Sequence, residues 1–243
     1  MDSGIAELSA WGYGLAAAGY VLLFGYLLSR RGQAEGERQP AALLLGAVLA
    51  TALWALASLG IVYSATRDFR GAAEVCDALR YAAWYGLILV LLGSGPEKGT
   101  RRPLSRPVVL LVGAIALAGV GLRVVVWLAG GVPLVVAKFY LVQSLAMVVV
   151  ALLLVEQFYR SLATDSRWNV KPLCLGLSAA FVYDLYFYSD ALLFGRVDPD
   201  VFSVRGFAHA LIVPLIALPV NRSRDWASRL RVSQKVAFHS LAL

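Results

Sequence analysis

Charge is scarce in this chain. Asp and Glu number 15 and Lys and Arg 22 among 243 residues, so charged side chains make up 15% of a sequence that is 60% hydrophobic with a mean hydropathy of +0.72. A soluble domain of this size cannot keep that much apolar surface from water, and the composition instead describes an integral membrane protein. Cysteine and histidine are scarcer still, with two of each. Two cysteines and two histidines at unrelated spacings make no metal-ligand set. Cys76 and Cys174 fall toward opposite ends of their helices, which excludes a disulfide between them. Also lacking are a basic stretch before the first apolar run, an internal repeat, a phosphate-cradling glycine loop, an HExxH pattern and any nucleophile-base spacing. The first apolar run is therefore expected to be a retained span, and no catalytic role is expected of this chain.

What the chain does have is long apolar runs. A bilayer core about 30 Å thick takes roughly 20 apolar residues per helical crossing. Seven runs meet that length: Leu8 to Leu28, Ala41 to Tyr63, Val75 to Leu92, Pro107 to Leu128, Leu134 to Tyr159, Val170 to Phe194 and Phe202 to Val220. Short connectors with Gly, Pro and charge join them. Barrel strands would alternate with period two and these runs do not, so the expected fold is all-α, a seven-transmembrane-helix bundle over residues 1–220 followed by a basic exit segment over 221–243. Pro214 and Pro219 predict a kink in the seventh helix.

Lys and Arg collect in alternate connectors. One side holds Arg30, Arg31, Arg38, Lys98, Arg101, Arg102, Arg106, Arg160, Arg167, Lys171 and the basic residues after Asn221, against Arg67, Arg70 and Arg196 on the other. Short basic loops stay in the cytoplasm, which predicts an amino terminus outside and a carboxyl terminus inside. The net charge of +7 then reflects topology, and nucleic acid is not an expected partner.

This orientation places the intramembrane charges in the outer half: Asp77 and Arg80 on the third helix, Arg123 on the fourth, Lys138 on the fifth, Asp184 and Asp190 on the sixth, Arg205 and His209 on the seventh. A charge at the bilayer centre costs at least about 2.5 kcal/mol, so these groups should face the bundle interior and pair. Asp77, Arg80, Tyr81 and Trp84 recur at helical spacing on one face; Asp184 shares a stripe with Tyr188, and Asp190 another with Tyr183, Tyr186 and Phe187. The expected site is an aromatic-walled cavity open to the outer face, with ion pairs across helices three, six and seven. Arg123, Lys138 and Arg205 are long enough to snorkel to the interface and are expected to do so, while the short carboxylate of Asp184 cannot and is expected, with Arg80, to be buried between helices. His209 is expected to be satisfied by one neighbour, the alternative being a titrating pH sensor.

The segment from Glu156 to Pro219, most specifically YDLYFYSDALLF, together with RVSQKVAFHS near the end, resembles the membrane region of PrsK-type sensor histidine kinases of PEP-CTERM and exosortase systems. The resemblance implies a bacterial inner-membrane location, a role in signal transduction within a two-component system tied to exopolysaccharide, and kinase domains joined in cis. The chain itself carries no phosphoacceptor box, ATP-binding motif or GAF-sized region, and His239 in VAFHSLAL is a poor phosphoacceptor, so it is expected to be the sensor module of such a protein. A shorter stretch, RYAAW from Arg80 to Trp84, is similar to the RYADW run on the third helix of microbial rhodopsins and implies a rhodopsin-like helix arrangement. Ala83 replaces the counterion aspartate and Phe202 to Val220 contains no lysine, so covalent retinal is excluded and no cofactor is expected.

The expected sensing pocket comprises Asp77, Arg80, Tyr81, Trp84, Tyr183, Asp184, Tyr188, Asp190 and His209, reached by a small-molecule or lipid-derived cue. Two alternatives stand beside signal input: a proton or small-ion pathway through Asp184 and His209, and a structural module that forms homodimers through small-residue faces such as GLAAAGY.

Overall fold

The computed structural model describes residues 3–30, 38–64, 66–93, 105–130, 134–162 and 164–222. These are nearly all helical: α1 (Ser3–Arg30), α2 (Arg38–Tyr63), α3 (Arg67–Gly93), α4 (Arg106–Ala129), α5 (Leu134–Ser161), α6 (Thr164–Phe194), α7 (Pro199–Ala210) and α8 (Val213–Arg222). Seven segments are long and apolar enough to cross a membrane, the last being α7 and α8 together from Pro199 to Pro219. The chain is a multi-pass membrane protein by that measure. Much of the basic connector at 94–104 and the exit segment from 223, including His239, lies outside the described residues.

Consecutive helices pack side by side and α7 closes against α1, so the spans form a ring, with α3 reaching inward to touch α5 as well as its chain neighbours. Apart from α5, which starts at Leu134 as expected, the helices start earlier than the apolar runs do. α3 begins at Arg67 rather than Val75, and α6 begins at Thr164, carrying Pro172 within it. Polar first turns can extend a helix past the hydrocarbon edge, where water satisfies what apolar neighbours would not. At the end of the bundle where α1 starts, Arg67 donates from Nη2 to the carbonyl oxygens of Trp127 and of Leu128, the latter at 3.3 Å. Together with Gly130 in the left-handed region at φ 97°, this closes the carboxyl end of α4.

The helix of the seventh span is interrupted at Leu211 and Ile212, where Pro214 predicts a kink. α7 starts on Asp198, whose carboxylate accepts from the backbone N–H of Asp200 at 2.9 Å, with Pro199 in the first turn. It ends at Ala210, and α8 restarts at Val213. Pro214 explains the position: it has no N–H to give the Ala210 carbonyl and its ring would clash there. Leu211 and Ile212 bridge the gap, with Ile212 N–H turning back to the His209 carbonyl at 3.4 Å.

Glycine marks close approaches of the seventh span to its neighbours, against rigid backbone at Gly206 and against a side chain at Gly176. A Cβ on Gly206 of α7 would lie 2.5 Å from the backbone carbon of Gly12 and 2.5 Å from the nitrogen of Tyr13 on α1. One on Gly176 of α6 would meet Ile212 Cγ2 at 2.7 Å, next to the break. Small residues at such crossings let membrane helices gain dispersion contact where no hydrophobic effect drives them together.

Candidate functional site

The inward faces of α3, α6 and α7 carry Asp77 and Arg80, Asp184, and Arg205 and His209 respectively. Asp77 to Arg80 is one helical turn and Arg205 to His209 slightly more, so each pair shares a face. Ring closure brings the three faces together in a closed network. Arg80 donates from Nε to Asp77 Oδ1 and from Nη2 to Asp184 Oδ2, both at 2.6 Å. Arg205 donates from Nε to Asp184 Oδ1 at 2.7 Å and from Nη2 to Asp77 Oδ1 at 3.1 Å. Each carboxylate thus takes both guanidinium groups, and each guanidinium takes both carboxylates. Tyr81 donates its hydroxyl to Asp184 Oδ2 at 2.5 Å, and Tyr188 donates to Asp77 Oδ2. His209 completes the set, its Nε2 lying 3.2 Å from Asp184 Oδ1, with Arg80 Nη1 3.4 Å from the same nitrogen.

The four charged groups are 0–4% exposed, so bulk water does not reach them. In that environment the pairing is what offsets a desolvation cost of several kcal/mol per ion. Aromatic rings supply the rest of the shell. The guanidinium carbons of Arg80 and Arg205 sit 4.2 and 4.9 Å from the ring centre of Trp54 on α2, and Arg205 also lies 4.5 Å from that of Phe187. His209 meets Trp54 edge-on at 4.7 Å between centroids. Trp54 therefore serves both arginines and the histidine. Replacing it by Phe keeps an aromatic face but a smaller one, and is expected to lower unfolding stability by about 1–2 kcal/mol, read as a downward shift in thermal midpoint in detergent.

Several sequence expectations change here. Arg205 does not snorkel; it is a full member of the buried network. Nor does Arg123, which is buried between α4 and α5 and donates to Gly119 O at 3.1 Å and Ser144 Oγ at 2.8 Å. Both had nearby acceptors inside the bundle, and an ion pair or carbonyl within reach outweighs the entropy of stretching to a headgroup. Lys138, in contrast, is exposed. The charges expected to line a cavity open to the outer face are buried, with Trp54, Tyr81, Phe187 and Tyr188, buried themselves, among the residues around them.

Of the nine residues expected to gather, Asp77, Arg80, Tyr81, Asp184, Tyr188 and His209 do so. Trp84 is buried but turned to α2, where its indole N–H donates to Thr51 Oγ1 at 3.3 Å. Tyr183 donates to the Val201 carbonyl at 2.8 Å, tying α6 to the start of α7. Asp190 is half-buried, with no ion pair to the described residues. Trp54 was missed, although Thr51, Trp54 and Ser58 recur at helical spacing on an otherwise apolar span and all three are buried. Glu74 was missed as well. It accepts from Tyr140 and lies near Arg123, forming a second polar group among α3, α4 and α5.

The fold and the site together describe a seven-span helical membrane protein built around a buried, charge-balanced ion-pair network. Comparison of the chain with protein-family models, curated proteins and solved structures finds no match.

Proposed function

We propose that this protein is the membrane-embedded signal-input domain of a sensor kinase, with α1 starting outside and α8 leaving into the cytoplasm. The observation that carries this reading is the placement of the ion-pair network at the break in the seventh span: His209 and Arg205 are held by Asp184 and Asp77, and the helix is interrupted at Leu211 and Ile212, immediately beyond. A cue that repacks α3 against α6 changes what holds α7, and the break lets α8 answer by changing direction. Two packings of one network are what a ligand or membrane state needs in order to bias an output, provided it interacts differently with each. The ring order of the helices is compatible with a rhodopsin-like arrangement, and the resemblance of YDLYFYSDALLF to PrsK-type sensors points to a histidine kinase as the recipient.

Tyr81→Phe and His209→Gln test the proposal, since they alter the hydrogen bonds to Asp184 while leaving all four charges in place. With the chain joined to a dimeric histidine-kinase core, each is expected to change basal autophosphorylation at least threefold without lowering the amount of folded protein. Wild-type kinase activity in both would remove the signalling reading. Proton uptake by liposomes containing the wild-type chain, lost in His209→Gln, would replace it with an ion pathway.

A further inference from the structure

About one helical turn along α3 from Asp77 of the ion-pair network, Glu74 of α3, Arg123 of α4 and Tyr140 of α5 meet at a second polar site whose hydrogen bonding is incomplete. Arg123 is 1% exposed, yet its Nε has no hydrogen-bond partner; it is ion-paired with Glu74, whose Oε2 lies 3.8 Å away, beyond hydrogen-bond distance. Its other nitrogens are used, on Gly119 O and Ser144 Oγ. Glu74 Oε2 takes the Tyr140 hydroxyl, while Oε1 has no hydrogen bond to the described residues and the side chain is 48% exposed. A buried donor left without a hydrogen bond costs about 1–3 kcal/mol, so a group that brought an acceptor to Arg123 Nε would gain from doing so.

Depth and packing say from where. Glu74 lies seven residues into α3, Tyr140 six into α5 and Arg123 six before the end of α4, so all three sit about 10 Å from the same end of the bundle. Helices of 24 to 28 residues overhang a hydrocarbon core of about 30 Å by a few ångströms at each end, which puts the site just below the headgroups. α4 covers it thinly: among its described side chains Val112, Ala116, Gly119 and Arg123 are the buried ones, while Leu110, Leu117 and Val125 stand well exposed. Chemistry says what. A cation would fit Glu74 but face the guanidinium, and an anion would fit Arg123 but face the carboxylate. A hydroxyl accepts from Arg123 Nε and donates to Glu74 in one position.

We propose that Glu74, Arg123 and Tyr140 form a binding site for a neutral amphiphile with a hydroxylated headgroup, which reaches it from the bilayer at the junction of α3, α4 and α5. The site stands independently of the signalling reading, because its occupancy is measured directly.

The probe is a monoacylglycerol carrying a diazirine near its headgroup and an alkyne at its tail, applied to the full chain in phosphatidylcholine nanodiscs. Saturable labelling on α4 and α5 peptides is expected, competed by monooleoylglycerol but by neither methyl oleate, which has no hydroxyl, nor glycerol, which has no chain. Glu74→Gln exchanges the free acceptor for a donor and is expected to weaken labelling about tenfold, Tyr140→Phe to weaken it less, and Glu7→Gln on α1 to leave it unchanged. Thermal midpoints are measured on each variant, and if Glu74→Gln fails to fold, Tyr140→Phe decides. Labelling spread evenly over all spans, equal competition by methyl oleate, competition by glycerol alone, or full labelling of a folded Glu74 or Tyr140 variant would each overturn the proposal.

Discussion

Asp184→Ala is expected to unfold the protein more readily than any other single change, lowering stability by about 3–5 kcal/mol, because it leaves two buried guanidinium groups sharing the one carboxylate of Asp77. The loss reflects stranded charge more than the worth of the ion pairs themselves. A comparison separates the two. With Asp77→Leu, Arg80→Met, Asp184→Leu and Arg205→Met combined, no charged side chain of the network remains, and at least half of the lost stability is expected to return even though all four of its ion pairs are gone. Reversible unfolding in mixed micelles reads both numbers. If the quadruple variant were as unstable as Asp184→Ala, the network would be a structural necessity. Its recovery, with loss of the Tyr81-dependent change in kinase output, would assign the charges to switching.

The second large effect is at the crossing of α1 and α7. Gly206→Ala places a methyl group 2.5 Å from backbone atoms of Gly12 and Tyr13, which cannot rotate away, so the helices must separate. The expected cost is about 1–3 kcal/mol, the range for overpacking, and more for Gly206→Leu. The reverse substitution is informative. A Cβ on Gly12 meets the Phe207 ring at 2.9 Å and the Ser203 carbonyl at 3.1 Å, contacts that a ring and a small shift can relieve in part. Gly12→Ala should therefore lower the thermal midpoint by less than Gly206→Ala. Equal effects would mean that the crossing opens as a unit whichever residue grows.

How much of this was legible in the sequence varies with the physics involved. The spans were, because hydrocarbon forces backbone bonds inside one helix and a run of about 20 apolar residues announces it. Helical spacing put Asp77 and Arg80 on one face, where they could pair and do. The burial of Asp184 followed from its short side chain. Arg205 and Arg123 were misjudged for the opposite reason: a long side chain has two ways to solvate its charge, and the choice depends on acceptors from other helices that a single sequence does not place. Glu74 escaped notice beside the more deeply placed Asp77, three residues on, since only the arrival of Tyr140 and Arg123 from two other helices makes it a site. The interruption at Leu211 and Ile212 was visible as Pro214, whose missing N–H frees the carbonyl of Ala210 next to His209.

The order of signs in the network has an electrical consequence. Two carboxylates and two guanidinium groups interleave so that their formal charges cancel, and a rigid displacement of the whole set across the bilayer would do no net work against the transmembrane field. Pulling Arg205 alone away from its carboxylates is different, since one elementary charge crossing the full potential is worth about 2.3 kcal/mol per 100 mV. The assembled network is thus blind to voltage as a unit, and a change that separated Arg205 from Asp77 and Asp184 would give it sensitivity.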